Sequence, residues 1–106
     1  MTPEEGAKIL EETERTINGW FQSLSREEAY AWTNAYIEDR SIVLADAEQM
    51  LAGMRAFMWL AGNCGHGVNP FALVESIRSK ANRTLEEAEA LDAWDRVKSK
   101  AMSKLL

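Results

Sequence analysis

Apolar side chains recur every three or four positions along most of this chain, and that spacing places them on one side of an α-helix. In the first segment, about residues 3–23, the repeat consists of Leu10, Thr13, Ile17, Trp20, Phe21 and Leu24. On the opposite face, Glu4 with Lys8 and Glu11 with Arg15 form i,i+4 pairs in the favourable acid-first order. The pattern therefore predicts an amphipathic first helix with one buried face.

The same spacing continues through the middle of the chain. A second helix is predicted to start after Ser25, with Ala29, Trp32, Tyr36 and Ile37 facing inward. Around Asp39-Arg40-Ser41 two interpretations stay open: the helix breaks with Ser41 as a new N-cap, or it runs straight on. Residues 41–44 are β-branched enough for a short strand, but no second strand is available to pair with it, so we favour helix.

The three-four spacing then continues, either along the same helix or in a separate third helix, through Val43, Ala47, Met50, Met54, Phe57 and Ala61. The third helix is apolar around much of its circumference near Phe57–Leu60, so it is either central in the bundle or partly an interface. We favour the central position.

Two further helices are predicted in the last third of the chain. One begins at Asn69, with Pro70 at its first position, and ends at Asn82-Arg83; the other runs from Leu85 to near the end. The inward positions are Phe71, Val74, Ile77 and the stem of Arg78, then Leu91, Trp94, Val97, Ala101 and Leu105. Capping boxes at Thr2–Glu5, Ser25–Glu28 and Thr84–Glu87 mark three of the helix starts.

Composition fits this pattern. A chain of 106 residues that is 46% apolar is long enough to bury a core as one domain, residues 1–106. The predicted fold class is all-α, a compact single-domain bundle of four to five helices. One cysteine excludes an internal disulfide, and the acidic start of the chain is unlike a signal peptide. Met50–Ala61, which Arg55 interrupts, is too short to span a bilayer. We therefore expect a soluble cytoplasmic protein with no membrane partner.

The segment LAGNCGHGVNP, residues 60–70, is the main candidate for chemistry, because it holds the only cysteine and the only histidine. Nothing else in the chain orients His66 as a base for Cys64, and two ligands do not make a zinc site. The glycines lack the spacing and the following lysine of a phosphate-binding loop. We interpret the segment as a turn between helices. The sequence thus predicts no enzyme activity, no catalytic residue, no metal site and no cofactor.

Acidic residues are concentrated in the first half of the chain, while the net charge is −5 overall. Residues 1–53 hold eleven acids and four bases, whereas residues 54–106 hold six acids and eight bases. An acidic half repels phosphate, so direct nucleic-acid binding there is not expected. Instead it would dock on a basic protein surface and compete with nucleic acid for it. The predicted partner-binding residues are Glu12, Glu38, Asp39, Asp46 and Glu48.

The acidic helix PEEGAKILEETERTINGWF, residues 3–21, together with Glu38, Asp39, Asp46 and Glu48, resembles the small anti-CRISPR proteins of phages and mobile elements, including those acting on type I-E systems. The resemblance covers length, acidity, helical pattern and the lack of enzyme motifs, and it assigns no role to any single residue. It implies a Cas-type partner, either a CRISPR surveillance complex or its recruited nuclease, that is inhibited when a basic site is blocked. If a phage encodes the chain, it would act in the host cytoplasm.

Two other interpretations remain open. A DNA-binding regulator could use the basic residues of the second half, although a helix-turn-helix is disfavoured because the would-be recognition helix starts with LEEAEALD, residues 85–92. The cations in question are Arg78, Lys80, Arg83, Lys98, Lys100 and Lys104. Alternatively, a phage or bacterial assembly adaptor would self-associate through the third helix. The sequence is compatible with a monomer or a homodimer.

Overall fold

Five α-helices make up most of the computed structural model, which describes residues 2–43, 50–64 and 69–106. They are α1 (Pro3–Gln22), α2 (Arg26–Val43), α3 (Met50–Asn63), α4 (Pro70–Arg78) and α5 (Leu85–Leu105). No strand occurs within those three ranges. The predicted all-α bundle is therefore confirmed. None of the helices described is long and apolar enough to cross a membrane.

Side-chain caps begin the helices where the sequence predicts them. At the start of α5, the Glu87 amide donates to Thr84 Oγ1 at 3.1 Å, and the Thr84 amide donates to Glu87 Oε1 at 2.9 Å. This is a complete capping box, which satisfies two amides that the helix leaves without partners. At the start of α1, the Glu5 amide donates to Thr2 Oγ1 at 3.2 Å.

The cap at Ser25 differs from the prediction in one detail. The Glu28 amide donates to Ser25 Oγ at 3.3 Å, as expected. However, the Glu28 carboxylate accepts a hydrogen bond from the same Ser25 hydroxyl at 2.7 Å and does not reach back to the backbone. At α4 the predicted cap is present, because Asn69 Oδ1 accepts from the Phe71 amide at 2.8 Å.

One hydrophobic core is shared by all five helices, and its centre is aromatic. Trp32 of α2 lies 5.1 Å from Trp94 of α5 and 5.3 Å from Phe71 of α4, between ring centroids. Phe21 of α1 lies 5.5 Å from Trp32. The third helix contributes Met54, Phe57 and Leu60, which are all buried. The predicted inward faces of α1 and α3 are thus confirmed where they are described, and α3 lies against the core.

The end of α4 lies earlier than predicted. The helix ends at Arg78 rather than at Asn82-Arg83. The guanidinium of Arg83 folds back, with Nε donating to the Ile77 carbonyl at 3.0 Å and a terminal nitrogen donating to the Arg78 carbonyl at 2.7 Å. A cation that satisfies the last carbonyls in this way closes a helix without a further turn.

The structure shows how the chain runs through residues 39–43, and it corrects two predicted inward positions, one in α2 and one in α5. Residues 39–41 lie inside α2, which continues to Val43, so the helix does not break with Ser41 as a cap; residues 44–49 lie outside the part described. Ile37 and Leu105, predicted to face inward, are 46% and 38% exposed. The inward stripe of α2 instead passes through Tyr36 and Asp39, both buried, which leaves Ile37 beyond its edge.

Candidate functional site

The five acids predicted to bind a partner are not equivalent in the structure. Glu12 lies exposed on α1, Glu38 lies exposed on α2, and Asp39 is buried at 2% exposure. Asp46 and Glu48 lie outside the described residues. Glu38 and Asp39 both face α5, whereas Glu12 lies on a different helix that packs against α2 and α3.

Asp39 is held inside the bundle by two cations of α5. Arg96 Nε donates to Asp39 Oδ1 at 3.1 Å, and Lys100 Nζ donates to the same oxygen at 3.4 Å. A second nitrogen of Arg96 lies 3.4 Å from Asp39 Oδ2. A buried carboxylate requires such counter-charges. The carboxylate therefore links α2 to α5, and almost none of its surface is left for an outside partner.

Glu38 also has an internal partner, but at the surface. Lys104 Nζ donates to Glu38 Oε1 at 2.6 Å, and about half of the Glu38 side chain remains exposed. The acids at 38–39 and the cations of the last turns of α5 thus neutralise each other. The sequence shows that α2 carries two adjacent acids and that α5 carries several cations, but it does not show which acid pairs with which cation.

The remaining cations of the second half are mostly bound as well. Arg78 holds Asp95 with two nitrogens at 2.7 and 3.1 Å, and this bidentate contact raises the pKa of Arg78 and lowers the pKa of Asp95. Lys80 pairs with Glu87, which lowers the pKa of that carboxyl.

These pairs bear on the DNA-binding interpretation. Of the six cations that it invokes, five already contact an oxygen of the protein: Arg78, Lys80, Arg83, Lys100 and Lys104. Lys98 is the exception within the described part of the chain. Phosphate binding through this half would require those internal contacts to be broken.

A different set of acids remains at the surface. Within the described ranges, the exposed carboxylates that form no ion pair are Glu4, Glu5, Glu12, Glu27, Glu28, Glu86 and Asp92. Four exposed cations in the same ranges also form no ion pair: Lys8, Arg26, Arg83 and Lys98. Of these, Arg83 donates to backbone carbonyls instead. The described surface therefore stays acidic after its internal pairs are removed.

Three of these acids, which we call the acidic face of α1, share one side of that helix. They are Glu4, Glu5 and Glu12, and all three are exposed. Residues 5 and 12 are seven positions apart, which is about two helical turns, so their side chains lie one above the other. Lys8 lies between them on the same side and compensates part of the charge.

A groove lies between α2 and the last turn of α5, which we call the α2–α5 groove. Its volume is about 610 Å³, and its lining residues are Glu27, Tyr30, Ala31, Asn34, Ile37, Glu38, Lys104 and Leu105. Tyr30 is 75% exposed, an unusual value for a large aromatic side chain. With Ile37 and Leu105 it forms an exposed apolar surface, a feature that marks interaction sites.

A buried polar contact joins α1 to α2 beside the core. Tyr36 Oη donates to Glu14 Oε2 at 3.0 Å, and Arg40 forms an ion pair with the same carboxylate. Burial, followed by the neighbouring Glu14 charge, raises the pKa of Tyr36. The Tyr36 hydroxyl is therefore satisfied within the protein.

The segment around Cys64 shows no sign of an activated thiol. Cys64 is 8% exposed, and its burial raises the pKa of the thiol, which disfavours the reactive thiolate. His66 lies outside the described residues. Within the part of the chain that is described, no group of three or more His, Cys, Asp or Glu side chains is placed to hold a metal ion.

Comparison with protein-family models, with curated proteins and with solved structures finds no match to this chain. Its side chains and charges are therefore the basis on which a function can be inferred.

Proposed function

We propose that this chain is a small acidic binding protein that inhibits a nucleic-acid-handling partner by occupying a basic site on that partner. The observation that supports this most is the acidic surface left after the internal ion pairs are removed. In the described part of the chain, seven exposed carboxylates lack an ion-pair partner, against four cations. Such a surface attracts a basic protein and repels phosphate.

The acids proposed to contact the partner differ in part from those the sequence suggested. Glu12 remains a proposed contact because it is exposed on the acidic face of α1, where Glu5 joins it. Glu38 also remains a proposed contact, because about half of its side chain is exposed where it lines the α2–α5 groove. Asp39 is not included, because its carboxylate is bound by Arg96 and Lys100 inside the bundle.

The partner to test first is a type I-E CRISPR surveillance complex, followed by the nuclease that it recruits. The resemblance to anti-CRISPR proteins suggests this choice. Effector complexes of this kind hold nucleic acid in positively charged channels, where a competing polyanionic surface would act. The inhibition would be competitive, because the carboxylates would occupy the lysine and arginine positions that phosphates need.

Isothermal titration of the protein into the purified surveillance complex tests this proposal. We expect saturable binding at a fixed stoichiometry that weakens as salt is raised from about 0.1 M to 0.4 M, because charged surfaces are screened. The variant Glu5→Lys/Glu12→Lys should bind about tenfold more weakly at the lower salt. Its matched control is Glu86→Lys/Asp92→Lys, which changes the net charge equally but on α5.

The outcomes separate the alternatives. Unchanged affinity with the α1 variant, or an equal loss with both double variants, would contradict a contact through the acidic face of α1. No measurable heat with either the complex or the nuclease would contradict the proposed partner class. A salt-dependent shift of duplex DNA by the protein alone would instead favour the DNA-binding regulator.

A further inference from the structure

One wall of the α2–α5 groove is a stripe of α2 side chains that is as long as the contact face of a short docked helix. Tyr30, Asn34 and Ile37 recur at three- and four-residue steps, so they form a single stripe along α2. Seven residues of helix extend about 10 Å. Leu105 of α5 lies on the other wall. An amphipathic helix docks in such a groove through anchors at positions i, i+3 or i+4, and i+7, which span the same length.

The charged residues that line the groove indicate which charged side chain a bound helix would carry. Glu27, Glu38 and Lys104 are its charged lining residues. Lys104 is already paired with Glu38, whereas Glu27 has no ion-pair partner in the described part of the chain. The unmatched charge of the lining is therefore negative and lies next to Tyr30 along α2. An occupant that matches it carries a lysine or arginine beside its apolar anchors.

A second copy of this chain fits less well. A two-fold interface places the same patch on both sides, so Glu27 and Glu38 of one copy would approach those of the other. Each chain also carries a net charge of −5, which opposes self-association. Both arguments favour a basic partner over a homodimer at this surface.

We propose that the α2–α5 groove binds a basic amphipathic helix of the partner protein, with Tyr30 as the central apolar anchor and Glu27 as the acid that pairs with the helix's cation. This inference rests on the proposed function, since it specifies how a basic partner is held. Tyrosines in such positions often account for much of a binding energy. The acidic face of α1 would then attract the partner, and the groove would hold it.

The test uses a fluorescent helical peptide of about 18 residues with leucines at i, i+3, i+4 and i+7 and lysines elsewhere. One comparison peptide replaces leucine by serine and another replaces lysine by glutamate. Fluorescence anisotropy measures the affinity of each peptide for the full chain and its variants. Tyr30→Ala and Glu27→Lys alter the groove. Thermal unfolding checks that both fold, as expected for exposed positions.

The matched controls are on α5. Leu85→Ala removes another exposed apolar side chain. Glu86→Lys reverses the charge of an acid that is the second residue of its helix, as Glu27 is in α2. We expect Tyr30→Ala to weaken binding of the leucine–lysine peptide by about tenfold and Glu27→Lys by about fivefold. Both α5 controls should remain within about twofold of wild type, which is near the experimental scatter.

Three results would overturn the inference. The first is that Tyr30→Ala binds the leucine–lysine peptide as tightly as wild type does, and the second is that the serine or the glutamate peptide binds wild type as tightly as the leucine–lysine peptide does. The third is that wild type sediments as a dimer and that Tyr30→Ala dissociates it. The proposed function would survive those results if the α1 variant still bound the surveillance complex more weakly than its control. It would fail separately if the wild-type chain bound neither the complex nor the nuclease, whatever the peptide did.

Discussion

Arg96 of α5 donates a hydrogen bond at 3.1 Å to Asp39 of α2, and Asp39 is among the most buried side chains of the bundle. Lys100, one turn further along α5, contacts the same oxygen. The two helices joined in this way are also the two walls of the α2–α5 groove. The ion pair inside the bundle thus joins the two helices whose outer surfaces form the groove.

Removing the two sides of this contact should have unequal effects. Arg96→Ala/Lys100→Ala leaves a buried carboxylate without a counter-charge and should lower the free energy of unfolding by about 3 kcal/mol. Asp39→Asn leaves two partly exposed cations that can turn to water, and should cost only about 1 kcal/mol. Urea denaturation followed by tryptophan fluorescence measures both. Lys98→Ala, on the same helix, is the control; equal losses for the two main variants would contradict the account.

Stability in acid should depend on Glu87. Its hydrogen bond from Lys80 lowers the pKa of Glu87 below the ordinary value of 4.5. The stabilisation is therefore complete above about pH 5 and is lost as the pH falls through the lower folded-state value. Glu87→Gln should show a shallower fall in melting temperature between about pH 5 and pH 2 than wild type. Glu86→Gln should keep the wild-type slope; identical slopes for all three proteins would show that the Lys80 contact does not form.

Tyr36 should matter at the alkaline end. Folding raises the pKa of Tyr36 through burial and the adjacent Glu14, so its stabilisation is present below the unfolded value, about pH 10, and is lost as the pH rises further. Tyr36→Phe should cost about 1 kcal/mol at neutral pH, because the hydrogen bond to Glu14 is lost. The exposed Tyr30→Phe should leave the unfolding free energy unchanged. A Tyr36→Phe variant as stable as wild type would contradict the buried contact.

Cys64 should react slowly in the folded protein. Its thiol is buried and its pKa is raised, so the thiolate that attacks a disulfide reagent is scarce and shielded. Modification by an aromatic disulfide at neutral pH should be at least about tenfold slower than in denaturant. A rate equal to or faster than that of free cysteine would revive the interpretation of residues 60–70 as a chemical site.

Local features of the fold could be predicted directly from the sequence. The caps at Thr2, Asn69 and Thr84 depend on residues at most three positions away, so the pattern alone was sufficient. The inward face of α1 was predicted equally well because its period is unbroken. Where a helix had two plausible apolar edges, as at Ile37, periodicity could not show which edge the core would cover.

The long-range features could not be predicted in this way. Asp39 is an acid in an inward position, and it is tolerated there only because Arg96 lies opposite it, 57 residues later in the chain. The end of α4 depends on Arg83 folding back onto the carbonyls of Ile77 and Arg78. The exposed apolar wall of the α2–α5 groove arises only when Tyr30 and Leu105 are brought together in space. Each of these contacts is a property of the packed bundle rather than of one segment.

The most direct test of the central claim is whether the wild-type protein prevents a type I-E surveillance complex from binding its target DNA. An electrophoretic shift assay with labelled duplex DNA should show the DNA released as protein is added up to the complex concentration, and less release at high salt. The same amounts of protein should not shift the DNA alone. DNA that stays bound to the complex at a large excess of protein would contradict competitive inhibition.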